Sequence, residues 1–248
     1  MRANDGSEYS KLHGDYHAWF KKIRQKWDLY DLFLIDRDGN ICYTVFKEDD
    51  FGINIIEGKY KHTKLANTVL KALSADGFEL YASEFDLYQP SNNIPASFIA
   101  VPVFENAKLV GALAVQIRLD TMLRSAINSF EEFSNTQYEV VNSDRFIAMS
   151  SKINLADSLK QKTENLFAEH AINGAYDTKI FTDDLGNHRL IAYTYPSFMD
   201  HPWAIILQSD RITLLNVLND MGQRLALLVV GLLVLFGLFI GSEKETLS

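Results

Sequence analysis

A chain of 248 residues with a formal charge of -8 can form one large domain or two modest ones. Its 47% hydrophobic and 12% aromatic content suits a packed core and argues against a disordered chain. The basic residues are scattered, which argues against nucleic acid as a partner, and the single cysteine, Cys42, excludes an intramolecular disulfide.

The opening MRANDGSEYSKLHGDYH has no apolar stretch and does not read as a signal peptide. From Ser7 to Trp27, residues Leu12, Tyr16, Trp19, Phe20, Ile23 and Trp27 recur at spacings of three and four, which predicts an amphipathic helix with Gly14 weakening its start. Strands are expected over Tyr30–Asp36 and Asn40–Phe46, joined by a primed turn at Asp38-Gly39. Both strands carry apolar side chains on both faces, so the sheet should be covered on both sides. A helix near His62–Ala75 presents Leu65, Val69, Leu70 and Leu73, and strands follow at Glu84–Tyr88, Ala96–Phe104 and Lys108–Ile117. Two strands, a helix and three antiparallel strands make a PAS-like α+β module, here residues 28–118.

A helix over Leu119–Phe133 leads into the same order again. Gln137–Val141 and Arg145–Met149 read as a hairpin, Leu155–Glu169 as a helix, and Asp177–Thr182, His188–Tyr195 and Pro202–Gln208 as strands. The second module thus occupies residues 119–210, with a juxtamembrane helix over 211–224. Leu225 to Gly241 is a run without any polar side chain, long enough at about 25 Å to span a membrane as a helix. Only a short tail, 242–248, lies beyond it, and no output module fits there.

Candidate chemistry is sparse. Asp36-Arg37-Asp38-Gly39-Asn40 is superficially similar to a calcium loop, but its twelfth position is Lys47 where a bidentate Glu is needed. Asp38 reads instead as a turn residue, Asp36 as the end of a strand, and Asp49-Asp50 as the start of a solvated loop. His13 and His17 have metal-pair spacing but no third ligand, so they read as a solvated helix face. Cys42 reads as a buried small hydrophobe. Neither a metal, a cofactor nor a catalytic set is expected, and the chain does not read as an enzyme. Tyr43, Phe46, Tyr60, Phe85, Tyr88, Ser97 and Gln116 gather polar and aromatic groups on one sheet, where they either pack the core or wall a pocket.

YDLFLIDRDGNICYTVFKEDDFGINI and IPASFIAVPVFENAKLVGALAVQI, with the Tyr60–Leu73 region between them, resemble the membrane-distal module of double Cache (dCache) sensor domains. More weakly, YEVVNSDRFIAMSS and HRLIAYTYPSFMDHPWAIILQSD resemble the membrane-proximal module. The resemblance implies a sensory input domain of the bacterial inner membrane. It would have a long N-terminal helix, two stacked extracytoplasmic modules and a C-terminal transmembrane helix, and it would act as a homodimer. It also implies a small ligand in the distal module, expected at Tyr43, Tyr60, Tyr88, Ser97 and Gln116. The first membrane segment and the signalling output would belong to the parent or a partner protein. Amino-acid-binding relatives carry an Arg-x-Trp-Tyr run where this chain has Gly58-Lys59-Tyr60-Lys61, and an acidic residue at the position of Gln116. An uncharged amide cannot pair with an ammonium, so the expected ligand is uncharged or anionic. A tethered scaffold that binds another protein is the alternative.

Overall fold

A computed structural model describes residues 5–123, 136–182, 186–198 and 201–210. The helix α1 (Glu8–Lys26) starts at Ser7, whose side chain accepts from the Ser10 amide, and runs through Gly14 without interruption. Arg24 and Lys26 occupy its last turn, where positive charge complements the helix dipole.

The first module contains β1 (Asp31–Asp36), β2 (Ile41–Thr44), α2 (Lys64–Leu73), β3 (Tyr81–Ala82), β4 (Asp86–Tyr88), β5 (Ile94–Glu105) and β6 (Lys108–Arg118). Its antiparallel sheet runs β2-β1-β6-β5-β3, with β4 also on β5. The module core lies on the face covered by α2, where Leu65 and Val69 meet Phe33, Ile35 and Phe98. The turn after β1 differs from the primed turn expected. Gly39 alone has positive φ (+89), its amide bonds to the Asp36 carbonyl, and the register slips between Leu34 and Ile35. This is a turn closed by a bulge, which a single left-handed glycine permits.

That bulge has consequences downstream. Ile41 pairs with Ile35 and Tyr43 with Leu34, leaving Cys42 as the extra residue. Cys42 is therefore exposed rather than buried, and Ile41 and Tyr43 face opposite sides of the sheet.

The second module repeats the topology. β7 (Thr136–Val141), β8 (Ile147–Ser150), β9 (Asp177–Thr182), β10 (His188–Thr194) and β13 (Ala204–Asp210) form a sheet in the order β8-β7-β13-β10-β9, and β11 (Ser197–Phe198) pairs with β12 (His201–Pro202). With β4 set aside, the five strands along each sheet run in the same order: second, first, last, fourth, third. The helix expected over Leu155–Glu169 is instead α3 (Leu166–Ile172), with Asn165 as its N-cap. The preceding residues run beside β8, where Leu159 donates to the Ile147 carbonyl, Ile147 to the Gln161 carbonyl and Thr163 to the Arg145 carbonyl. Backbone pairing with a neighbouring strand overrides the local helical pattern.

Residues 119–123 begin the expected connecting helix, and its remainder lies outside the described residues. So do the juxtamembrane helix, the apolar Leu225–Gly241 segment and the tail. Among the described residues no helix is long and apolar enough to cross a membrane. A separate apolar cluster joins the modules, with Phe85, Leu119 and Leu123 packed against Val140, Met149 and Trp203. The Phe85 and Trp203 rings meet edge to face at 6.0 Å.

Candidate functional site

Two strand partners place the centre of the first module. Gln116 on β6 pairs with Asp31 on β1 and with Phe98 on β5, so all three share the α2-side face. Gln116 is fully buried, and its Nε2 donates to Ser91 Oγ at 3.0 Å. Ser91 Oγ donates in turn to Glu48 Oε2 at 2.6 Å, and Tyr30 donates to the other carboxylate oxygen at 2.6 Å. A buried amide is thus tied into a chain of polar side chains that ends on a carboxylate.

Asp50 and Tyr88 form a second buried pair. Asp50 is buried, not solvated as the sequence suggested, because the loop after β2 folds back and the Tyr88 hydroxyl donates to its Oδ2 at 2.7 Å. The other oxygen, Oδ1, is buried with no hydrogen-bond partner among the described residues. Burial, reinforced by the nearby Glu48 charge and opposed by the Tyr88 hydrogen bond, raises the Asp50 carboxyl to about 6. Burial and the neighbouring Asp50 charge likewise raise the Tyr88 phenol well above its ordinary range. Tyr60 belongs to the same core and takes a hydrogen bond from Lys59 Nζ at 3.1 Å.

Of the five residues expected at the ligand site, the structure brings Tyr60, Tyr88 and Gln116 to one face of the sheet. Tyr43 and Ser97 lie on the opposite face. The bulge at Cys42 turns Tyr43 toward α1, where its hydroxyl meets His17 Nδ1 at 2.8 Å. Ser97 neighbours Phe98 on β5, so it points the other way, and its hydroxyl donates to the Ser83 carbonyl at 2.7 Å. Ser91, Glu48 and Asp50 were missed. Loop residues far apart in sequence leave no periodic signal, and only the hydrogen bonds they make in the fold mark them.

The two histidines of α1 are not a solvated face. His13 is buried and stacked on His17 with centroids 4.5 Å apart, and both rings pack near Tyr43. Part of the apolar stripe of α1 points outward, leaving Leu12, Tyr16, Trp19 and the C-cap Trp27 exposed, while Phe20 packs on Tyr43 with ring centroids 5.0 Å apart. Asp31 is structural: its Oδ1 accepts from the Leu32 and Val45 amides at 2.7 and 2.8 Å, although burial still raises it to about 6. Asp36 holds the hairpin turn through the Asp38 and Asn40 amides and the Asn40 side chain, while the Asp38 carbonyl accepts from Asn54. Among the described residues no group of three or more His, Cys, Asp and Glu is arranged to hold a metal.

No protein-family model matches the chain, and no curated protein matches it in sequence. Solved structures do match. The sensor domain of the Vibrio cholerae histidine kinase DctB aligns with a TM-score of 0.53 and 15% identity, over 82% of this chain and 80% of that one. The ligand-binding domain of the Pseudomonas aeruginosa PAO1 amino acid chemoreceptor PctC, in complex with GABA, aligns at 0.54 and 15%, over 84% of each chain. The ligand-binding domain of Campylobacter jejuni chemoreceptor Tlp3, in complex with 4-methylisoleucine, aligns at 0.56 and 11%, over 83% of this chain and 74% of that one. The fold of this chain is the double Cache fold of histidine-kinase and chemoreceptor sensor domains.

Proposed function

We propose that the chain is the sensory input domain of a membrane receptor and binds a small ligand on the α2 face of its first module, without catalysis. One observation carries this reading: the buried Asp50 Oδ1, left unpartnered beside Tyr88. A buried acceptor without a donor is unfavourable, and a bound ligand supplying an N–H or O–H offsets it. Tyr60 and Tyr88 provide aromatic walls, and Gln116 with Ser91 provides an orienting amide and hydroxyl. Asp50 and Glu48 disfavour an anion here, so the ligand is neutral or cationic and bears a donor. This revises the preference drawn from Gln116 alone. The neighbours are extracellular or periplasmic sensory domains, and two of them hold GABA or 4-methylisoleucine.

In this reading both modules sit outside the cytoplasm of a bacterial inner membrane, and Leu225–Gly241 crosses it and carries the signal. A ligand drives such a signal only if it binds two states of the modules unequally. A thermal-shift screen of the full chain against small metabolites tests the function. Saturable stabilisation that Asp50→Asn diminishes supports it, and the absence of any stabilising compound refutes it. Reporter fusions after Asp210 and Ser248, in the receptor carrying its first membrane segment, test the topology, which a cytoplasmic signal from the Asp210 fusion would overturn.

A second reading has its own observation. The outward stripe of Leu12, Tyr16, Trp19 and Trp27 leaves large apolar side chains in water at helical spacing. Such a face suits a partner helix, from a second copy in a homodimer or from a scaffolded protein.

A further inference from the structure

A cleft of about 580 Å³ lies between the two modules, and neither Asp50 nor Tyr88 lines it. Its first wall comes from the turn between β4 and β5 and from the end of β6, and its second from residues 156–160 of the second module. Ile94, Pro95, Leu119 and Ala156 make much of that wall apolar. Arg118 and Asp120 line it as a two-point ion pair, with Arg118 Nε donating to Asp120 Oδ1 at 2.8 Å, so the cation left to face the cleft is Lys160.

Two features single this cleft out. Ser158 lines it with a side chain that is fully buried, yet its Oγ has no hydrogen-bond partner among the described residues. A buried hydroxyl that is idle within the protein is placed to donate to something else. The neighbouring Leu159 is held at φ +60, and Asn92 and Asn93 on the opposite wall at +55 and +56. Left-handed backbone is unfavourable for a branched residue such as leucine, and it shapes the chain where Ser158 and Lys160 meet the cleft. The Lys160 ammonium is half exposed and, among the described residues, paired with Asp157 at 3.3 Å, an exposed contact that it can exchange at little cost.

From this geometry we infer a second ligand site, between the modules, for a short-chain monocarboxylate. The apolar wall takes the alkyl body, Ser158 Oγ donates to one carboxylate oxygen, and Lys160, exchanging its contact with Asp157, pairs with the other. The adjoining cleft of about 520 Å³ shares Lys160 but is lined by Glu84, Asp86 and Asp144, and it disfavours an anion. A molecule packed on Ile94 and Pro95 of one module and held by Ser158 and Lys160 of the other binds best at one spacing of the two, and so biases how they sit together. This site does not depend on the ligand proposed for the first module.

Thermal unfolding of the full chain in detergent, with sodium propanoate, propanamide or sodium chloride added, provides the test. Propanoate is expected to raise the melting temperature saturably, and propanamide and chloride are not. Lys160→Gln and Ser158→Ala are each expected to weaken propanoate binding about tenfold. Ser158→Ala should leave the ligand-free melting temperature unchanged or higher, because the hydroxyl it removes has no partner among the described residues. Lys160→Gln changes an exposed side chain and so keeps the test valid if Ser158→Ala folds poorly. The proposal is overturned if propanoate gives no saturable shift or if propanamide matches it. It is equally overturned if both variants keep the wild-type shift, or if Gln116→Ala abolishes the shift while they keep it.

Discussion

The Tyr88 hydroxyl donates to Asp50 Oδ2 at 2.7 Å across 38 positions of sequence, and both side chains are almost wholly buried. The bond ties the loop after β2 to the end of β4 over the module core. It holds one carboxylate oxygen and leaves the other free, and it therefore sets both the stability and the pH response of the candidate site.

The pH response has a definite sign. The Asp50 carboxyl is raised from its ordinary 3.8 to about 6, so between those values the folded chain holds more protons than the unfolded one. Stability is then fully present below the unfolded value and falls as pH rises through the folded one, by roughly 2–3 kcal/mol at most for this group. Asp31 is raised to about 6 as well and contributes in the same direction. Denaturant melts from pH 4 to 7 are expected to show this decline, and Asp50→Asn should remove about half of it. An unchanged slope in Asp50→Asn would contradict the assignment.

Tyr88→Phe keeps the ring packed against Phe98 and removes only the donor to Asp50. It should cost about 1–3 kcal/mol at neutral pH, because the carboxylate loses its protein partner. The cost should shrink below pH 5, where Asp50 is protonated. Equal destabilisation at both pH values would show that packing, not the hydrogen bond, is what the variant loses.

The hairpin turn offers a contrast between its two central residues. A Cβ at Gly39 would stand 2.7 Å from Ile56 Cδ1, and its φ of +89 disfavours any side chain. Gly39→Val should therefore cost about 2 kcal/mol or more, while Asp38→Asn, which keeps the backbone carbonyl bonded to Asn54, should be near neutral. Chemical denaturation distinguishes them.

Much of this architecture could be read from the sequence. The doubled strand order, α1 and the Gly39 hairpin follow from apolar periodicity and turn residues, which are local properties. The bulge at Cys42 could not be read, and it alone moves Tyr43 from the expected site to the α1 side of the sheet. The burial of Asp50 could not be read either, since Asp49-Asp50 in a polar loop has the composition of a solvated turn. Gln116 was identified because an amide stood in an apolar strand, a local anomaly, whereas its partners Ser91 and Glu48 come from loops. Which face of α1 meets the sheet could not be read for a similar reason. Its aromatic stripe has the periodicity of a core face, yet His13 and Phe20 face the sheet while Trp19 is 57% exposed.

The stripe makes its own prediction. Trp19→Glu places a charge on an exposed face and should leave the melting temperature of the monomer nearly unchanged. If α1 mediates self-association, sedimentation velocity of the full chain should show a dimer that Trp19→Glu dissociates. A dimer that survives this substitution would exclude the stripe as its interface.

The central claim, a ligand held by Asp50 and Gln116 in the first module, is tested most directly by calorimetric titration. The best stabilising compound from the metabolite screen would be titrated into the wild type, Asp50→Asn, Gln116→Ala and the exposed control Lys108→Ala. The account predicts that Asp50→Asn and Gln116→Ala each weaken binding at least about tenfold while Lys108→Ala does not. Affinities that are the same in all four proteins would contradict it.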